Sequence, residues 1–176
     1  MEEIQNPKTS KHALNFGILL GVVSVALSVT LYALNMQFEG GWFVTLISIA
    51  ITTVILALAM AQFKKENQGW LSLSEALKLG LGAALIAGLI SAIYQLVLTQ
   101  VIDPEYMNKL ADFQYQKMIE SNPKMTQEQL DMSVNMMKKF SSPYIVFPVT
   151  IIMSLFFGFI ISMILGLIMK KQPAQN

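Results

Sequence analysis

Four long stretches of the chain contain no charged residue, and every Asp, Glu, Lys and Arg lies outside them. The stretches are Ala13–Leu34, Trp42–Phe63, Leu79–Ile102 and Pro143–Met169. Each is longer than the about 20 residues that a helix needs to cross a bilayer. None alternates with period two, as barrel strands would, so each predicts a spanning helix. The pattern predicts an all-α fold, a four-helix transmembrane bundle forming one integral membrane domain over residues 1–176.

The polar segment Asp103–Ser142 separates the third and fourth runs and has a helical pattern of its own. Apolar side chains recur at helical spacing in two groups, Tyr106, Leu110 and Phe113, then Leu130, Val134 and Met137. Two such groups separated by a polar turn are typical of paired amphipathic helices. We therefore expect an amphipathic helical hairpin over 103–142, between spanning helices 3 and 4.

Local capping signals indicate where several of these helices begin. Ser72 with Glu75, and Thr126 with Gln129, have the three-residue spacing of a capping box. Asp103 is placed to cap the first hairpin helix with its carboxylate. These signals predict helices that start just after Ser72, Asp103 and Thr126.

Three placements of the hairpin are compatible with its sequence. It would cover the outer end of the bundle, lie in the membrane interface, or dock a partner protein. Tyr, Phe and Lys suit the interface, whereas flexible Met side chains adapt well to another helix. Covering the bundle is the favoured expectation of the three.

The lysines predict how the chain is oriented, because lysines beside spanning helices mark the cytoplasmic side. The two termini and the connection between the second and third helices carry Lys8, Lys11, Lys64, Lys65, Lys78, Lys170 and Lys171. The connection around Gly40 and Gly41 carries none. Both termini are therefore expected in the cytoplasm and the hairpin outside it, although Lys138 and Lys139 argue weakly for the reverse.

Small residues recur at every fourth position in three of the runs. They are Gly17 and Gly21 in the first, Gly80, Ala84, Gly88 and Ala92 in the third, and Gly158, Ser162 and Gly166 in the fourth. This spacing places them on one helix face, where two backbones approach closely. The stripes predict packing within one bundle or the seam of a homodimer, and the frequency of such motifs favours the first.

The composition excludes several chemistries. The chain has no Cys and no Arg, its 12 basic residues are all Lys, and its net charge is +1. Nucleic-acid binding normally uses Arg forks, and thiolate chemistry needs Cys. His12 is the lone histidine and has no carboxylate nearby in the sequence, which makes it a poor metal or acid–base group. We expect no nucleic-acid partner, metal, cofactor or catalytic residue.

Gln95 is the one candidate for a polar site inside the spans. It is the deepest large amide of the third run, and an interhelical hydrogen bond is favoured over a substrate contact. The spans lack the charged side chain that a proton relay would use. The sequence therefore predicts a non-enzymatic accessory component of a membrane complex, in contact with lipid and with a membrane-protein partner. The alternative is a small transporter or channel component for a neutral or lipophilic substrate.

Several motifs resemble a family of small bacterial four-helix membrane proteins, domain of unknown function 4199. They are GWLSLSEALKLG at Gly69–Gly80, IYQLVLTQVIDPEY at Ile93–Tyr106, TQEQLD from Thr126, and the Gly-containing last helix that ends in Lys170-Lys171. The resemblance implies this fold and a location in the bacterial inner membrane. It implies no activity and no catalytic residues.

Overall fold

A computed structural model describes residues 7–122 and 125–171, which form six α-helices. In chain order these are α1 (Thr9–Ala33), α2 (Gly41–Glu66), α3 (Leu73–Val97), α4 (Tyr106–Ser121), α5 (Gln127–Phe140) and α6 (Pro143–Met169). A π-helical turn, Leu98–Ile102, continues α3. The predicted all-α fold is confirmed, with α4 and α5 forming the hairpin before the last spanning helix.

Four helical segments are long and apolar enough to cross a membrane: α1, α2, α6, and α3 together with its π-helical turn. They indicate a membrane protein. At one end of the bundle the helices extend beyond the charge-free runs, since α1 begins at Thr9 and α2 ends at Glu66. Long polar side chains at a helix end reach water without interrupting the backbone hydrogen bonds.

The spanning helices run alternately up and down, and α3 occupies the centre. Its most extensive contacts are with α1 and α6. The second spanning helix, α2, buries only the half of its length that leads to its C-terminus, where Leu56, Met60 and Phe63 are almost completely buried. The core is therefore dense on that side of the bundle and more open towards the hairpin.

The beginning of α1 and the end of α6 lie together, at what we call the terminal end. Lys64 donates a hydrogen bond to the carbonyl oxygen of Met169 (2.8 Å), and Leu71 pairs with Lys171 through two backbone hydrogen bonds. Lysine donation to a helix C-terminus satisfies a carbonyl that has no partner within the helix. These bonds join the connection between α2 and α3 to the end of α6.

His12 also lies at the terminal end, where it has a carboxylate partner that the sequence did not indicate. The imidazole is buried, its Nε2 lies 3.2 Å from an oxygen of Glu66, and its edge packs on the ring of Phe63. The carboxylate partner comes from the far end of α2, 54 positions along the chain, so sequence proximity could not reveal it. This contact joins the start of α1 to the end of α2.

Both predicted capping boxes are confirmed, at Ser72 with Glu75 and at Thr126 with Gln129. The predicted cap at Asp103 is wrong, since α4 begins at Tyr106 and has no side-chain cap. The carboxylate of Asp103 is engaged by two other side chains instead.

Candidate functional site

The hairpin is joined to the bundle through Asp103, which is only 7% exposed. The π-helical turn ends just before it, with the Asp103 amide donating to the Leu98 carbonyl oxygen (2.8 Å). The hydroxyl of Tyr32 donates to the Asp103 carboxylate (3.2 Å), and the Lys109 ammonium lies 2.9 Å from both of its oxygens. A buried carboxylate requires such partners. The contacts tie together α1, the end of α3 and α4.

The charges at this junction stabilise each other. Hydrogen bonding from Lys109 holds the pKa of the Asp103 carboxyl below its usual value, and the carboxylate raises the pKa of the Lys109 ammonium. A lowered carboxyl pKa stabilises the fold above the ordinary Asp pKa, and this is lost as pH falls through the lowered value. A raised ammonium pKa stabilises it below the ordinary Lys pKa, and this is lost as pH rises through the raised value. The junction is therefore intact across the neutral range.

Aromatic side chains complete the contact between α4 and the bundle. Phe38, in the connection between α1 and α2, lies 5.1 Å from the ring of Tyr106 and 5.8 Å from that of Phe113, measured between centroids. Burial raises the pKa of the Tyr106 hydroxyl. Aromatic pairs at these separations add stability beyond the area they bury. Helix α4 thus covers this end of the bundle, which is one half of what the favoured placement expected of the whole hairpin.

Gln95 lines a small polar cavity beneath this cover. The cavity has a volume of about 70 Å³ and is lined by Ser28, Leu31, Tyr32, Gln37, Tyr94, Gln95, Leu98 and Tyr106. The side-chain oxygen of Gln37 is buried there without a hydrogen-bond partner among residues 7–122 and 125–171. Such a space holds about two water molecules. It can hydrate buried amides and hydroxyls, but it is far smaller than the pockets of about 300 Å³ or more that take small-molecule ligands.

Helix α5 behaves differently from α4. It packs against α4, with Leu130 buried, and has no extensive contact with a spanning helix among the described residues. On its opposite side Met132, Met136 and Phe140 are 63%, 56% and 61% exposed. We call these three side chains the outward face of α5. An amphipathic helix that leaves apolar side chains at this spacing uncovered has a second surface available for packing.

A second cavity, of about 230 Å³, lies within the spanning region between α1, α2, α3 and α6. It is lined by Leu20, Ser24, Thr45, Ser48, Ile49, Thr52, Ala84, Ala87, Ser91, Met153, Ser154, Phe157 and Gly158. It lies where α2 no longer packs closely on the rest of the bundle. We call it the α2–α6 cavity.

The small residues of the first run lie against α3. A methyl group added at Gly17 would lie 2.8 Å from Ile86 Cβ and 2.9 Å from the carbonyl oxygen of Ala83. One added at Gly21 would lie 2.7 Å from the side chain of Ile90. Real Cβ atoms do not approach other atoms so closely, so both positions require the absence of a side chain for the two backbones to meet.

The other small residues bring α3 and α6 together. Gly80 faces Ser162, Ala84 faces Gly158, Gly88 faces Ser154, and Gly166 faces Ala76. The hydroxyl of Ser154 donates to the carbonyl oxygen of Ala84 (2.7 Å), which adds an interhelical hydrogen bond. Because these faces are occupied within one chain, a homodimer would have to use a different surface.

Residues 7–122 and 125–171 contain no group of three His, Asp or Glu side chains placed to hold a metal ion. The residues missed by the sequence interpretation are Tyr32, Gln37 and Lys109. Tyr32 is 71 positions from Asp103. Their proximity could nevertheless be expected, because the first and third spanning helices run in the same direction and therefore end on the same side of the bundle. The orientation of Gln37, in a connecting loop, had no sequence signal.

The family of the chain follows from comparison with known proteins. A family model described as "Protein of unknown function (DUF4199)" matches residues 15–171, which include most of α1 and all later helices. No curated protein and no solved structure matches the chain. The resemblance seen in the sequence motifs is confirmed, and the chain belongs to the DUF4199 family of proteins of unknown function.

Proposed function

We propose that this protein is a non-enzymatic accessory component of a membrane complex, and that the outward face of α5 docks on another membrane protein. The observation that carries the proposal is the contrast within the hairpin. Helix α4 is fixed to the bundle by the Asp103 junction, whereas α5 presents Met132, Met136 and Phe140 away from it. A rigid support and an uncovered apolar helix face together suit helix-to-helix recognition.

The side chains beside this face favour a protein partner over the lipid interface. Glu128 and Asp131 line the same side of α5 as Met132 and Met136, together with Lys139. Carboxylates are disfavoured beside the anionic headgroups that attract basic interfacial helices. Methionine side chains adapt to irregular apolar surfaces, and a flanking mixture of charges would orient a partner.

The second candidate function is a small transporter or channel component for a neutral or lipophilic substrate. The observation in its favour is the α2–α6 cavity, which lies within the spanning region. The cavity around Gln95 gives less support, because about 70 Å³ accommodates little more than water. We favour the accessory role, since the dense packing of α3 on α1 and α6 resembles a fixed scaffold.

We further propose that the protein resides in a bacterial inner membrane with both termini in the cytoplasm. The fold supports this orientation, because most of the lysines outside the hairpin lie at the same end of the bundle. The terminal end carries Lys8, Lys11, Lys64 and Lys171. Lysine enrichment at one end of a bundle is the pattern expected of the cytoplasmic side.

The test of docking is native co-purification with variants of α5. We expect the wild-type chain to migrate from mildly solubilised native membranes in a complex of fixed composition, and Met132→Glu with Met136→Glu to migrate alone. Charges on a buried apolar contact are strongly unfavourable. The matched control is Asn108→Glu with Gln116→Glu, which adds the same charge on exposed positions of α4. An identical particle for the wild type and both variants would refute docking through α5.

A further inference from the structure

The α2–α6 cavity has a mouth that opens sideways into the spanning region. Ile49, Met153 and Phe157 line the cavity and are nevertheless 38%, 46% and 43% exposed, so they form its rim. Towards the terminal end α2 and α6 are both part of the core, where Leu56 clusters with Ile161. The opening therefore lies on the hairpin side of this contact. At that depth it is the hydrocarbon of the bilayer that reaches it.

Four of the six hydroxyl groups that line the cavity already donate a hydrogen bond within the protein. Thr45, Ser48 and Thr52 donate to carbonyl oxygens one turn earlier in α2, at 3.2, 2.9 and 2.8 Å. Ser154 donates across to α3. Hydroxyls whose hydrogens are already bonded within the protein require no polar ligand atom. Ser24 and Ser91 add two further hydroxyls, and the remaining lining is aliphatic, aromatic or thioether, so an apolar occupant fits most of this space.

The size of the cavity limits what that occupant is. At about 230 Å³ it exceeds the about 150 Å³ apolar cavity that holds a benzene molecule. It is smaller than the about 300–1,000 Å³ of a typical small-molecule pocket. A part of a flexible hydrocarbon chain matches this size, and a whole lipid does not.

We infer that the α2–α6 cavity is a lipid site that takes one acyl chain of a bilayer lipid, entering sideways past Ile49, Met153 and Phe157. The headgroup stays at the membrane surface, and only the chain enters the protein. Filling this space removes the loss of dispersion contacts that an empty cavity imposes on its lining. The site is separate from the outward face of α5 and would exist whether or not that face docks a partner.

The test uses wild-type protein in vesicles of phosphatidylcholine that carries a photoactivatable diazirine in one acyl chain. Adducts are mapped by mass spectrometry on α6, where Ile152 and Phe156 face outward and are 61% and 54% exposed. Lipids that merely surround the protein would label these two residues at least as strongly as Met153 and Phe157. A bound chain would instead favour Met153 and Phe157 by about tenfold, the ratio given by about 1.4 kcal/mol of preferential binding.

A filling variant provides the second readout. Ser91→Phe places a ring in the cavity from α3, and we expect the adducts on Met153 and Phe157 to disappear while those on Ile152 and Phe156 remain. Leu89→Phe enlarges an exposed side chain of the same helix and should change neither set. The inference is overturned if the wild-type adducts are distributed according to the exposure of each residue. It is also overturned if the adducts on Met153 and Phe157 persist in a folded Ser91→Phe variant. If Ser91→Phe does not fold, the wild-type map alone decides.

Discussion

Replacement of Gly80 by alanine tests the close approach of α3 and α6. A Cβ atom at this position would overlap with both Cβ and Oγ of Ser162, a residue that is fully buried. With Ser162 reduced to glycine, the nearest atom would be the carbonyl oxygen of Gly158 at 3.6 Å, which is an ordinary contact. The two substitutions should therefore compensate for one another.

The expected loss of stability follows from two contributions of opposite sign. Overpacking a well-filled core costs about 1–3 kcal/mol, and an overlap with a fully buried side chain belongs at the upper end. Alanine is preferred to glycine in a helix by about 1 kcal/mol, so Gly80→Ala should lose about 2 kcal/mol net. In a double-mutant cycle the helix preferences cancel. The free energy of unfolding of the double variant Gly80→Ala with Ser162→Gly should be about 2–3 kcal/mol higher than the sum of the two single effects would give.

Equilibrium unfolding in mixed micelles titrated with dodecyl sulfate, followed by tryptophan fluorescence, measures the four free energies. The matched control is Gly80→Ala with Ser162→Ala, which retains the overlapping Cβ atom and should recover little stability. A coupling below about 0.5 kcal/mol between Gly80→Ala and Ser162→Gly would mean that the two positions do not meet. That result would contradict the packing of α3 against α6, and with it the central position of α3 in the bundle.

Three further predictions concern other parts of the molecule. Asp103→Asn should speed hydrogen exchange of the α4 amides. Acidifying the wild type through the lowered pKa of Asp103 should have the same effect. Asp112→Asn, at an exposed position of the same helix, should leave the exchange unchanged. Thr126→Ala removes the α5 capping box and should cost about 1 kcal/mol in local exchange stability, with Ser133→Ala as the control. His12→Ala should lower the unfolding midpoint, because it leaves a space beside Phe63; an unchanged midpoint would contradict the burial of this ring.

Much of the fold could be predicted because it depends on patterns local in the chain. The charge-free runs identify the spans. The pairs Ser72 with Glu75 and Thr126 with Gln129, each separated by three residues, identify two helix starts. Asp103 has an equally good local signal, but the hydroxyl of Tyr32 and the ammonium of Lys109 engage its carboxylate instead. A charged, bidentate partner outweighs a local cap.

The sites are less predictable because they depend on the relative placement of helices. The position of Gln95 on α3 could be read from the sequence, but its cavity also needs Gln37 from a loop and Tyr106 from α4. The α2–α6 cavity exists because α2 packs closely over only half of its length, and the charge-free run Trp42–Phe63 does not indicate where that packing ends. Hydropathy reports burial from water, and it does not distinguish burial in protein from burial in lipid.

Labelling of a single cysteine at Met136 tests the central claim, that a partner protein covers the outward face of α5. The chain has no native cysteine, so Met136→Cys provides one thiol, and Glu120→Cys on exposed α4 is the control. A hydrophilic maleimide is applied to open native membrane fragments, to pure-lipid vesicles and to detergent-solubilised protein. We predict that the thiol at 136 is protected in the native membrane and reacts in the other two, while the thiol at 120 reacts in all three. Protection in both native and pure-lipid membranes would place the face in lipid, and equal reactivity everywhere would mean that nothing covers it; either result contradicts the claim.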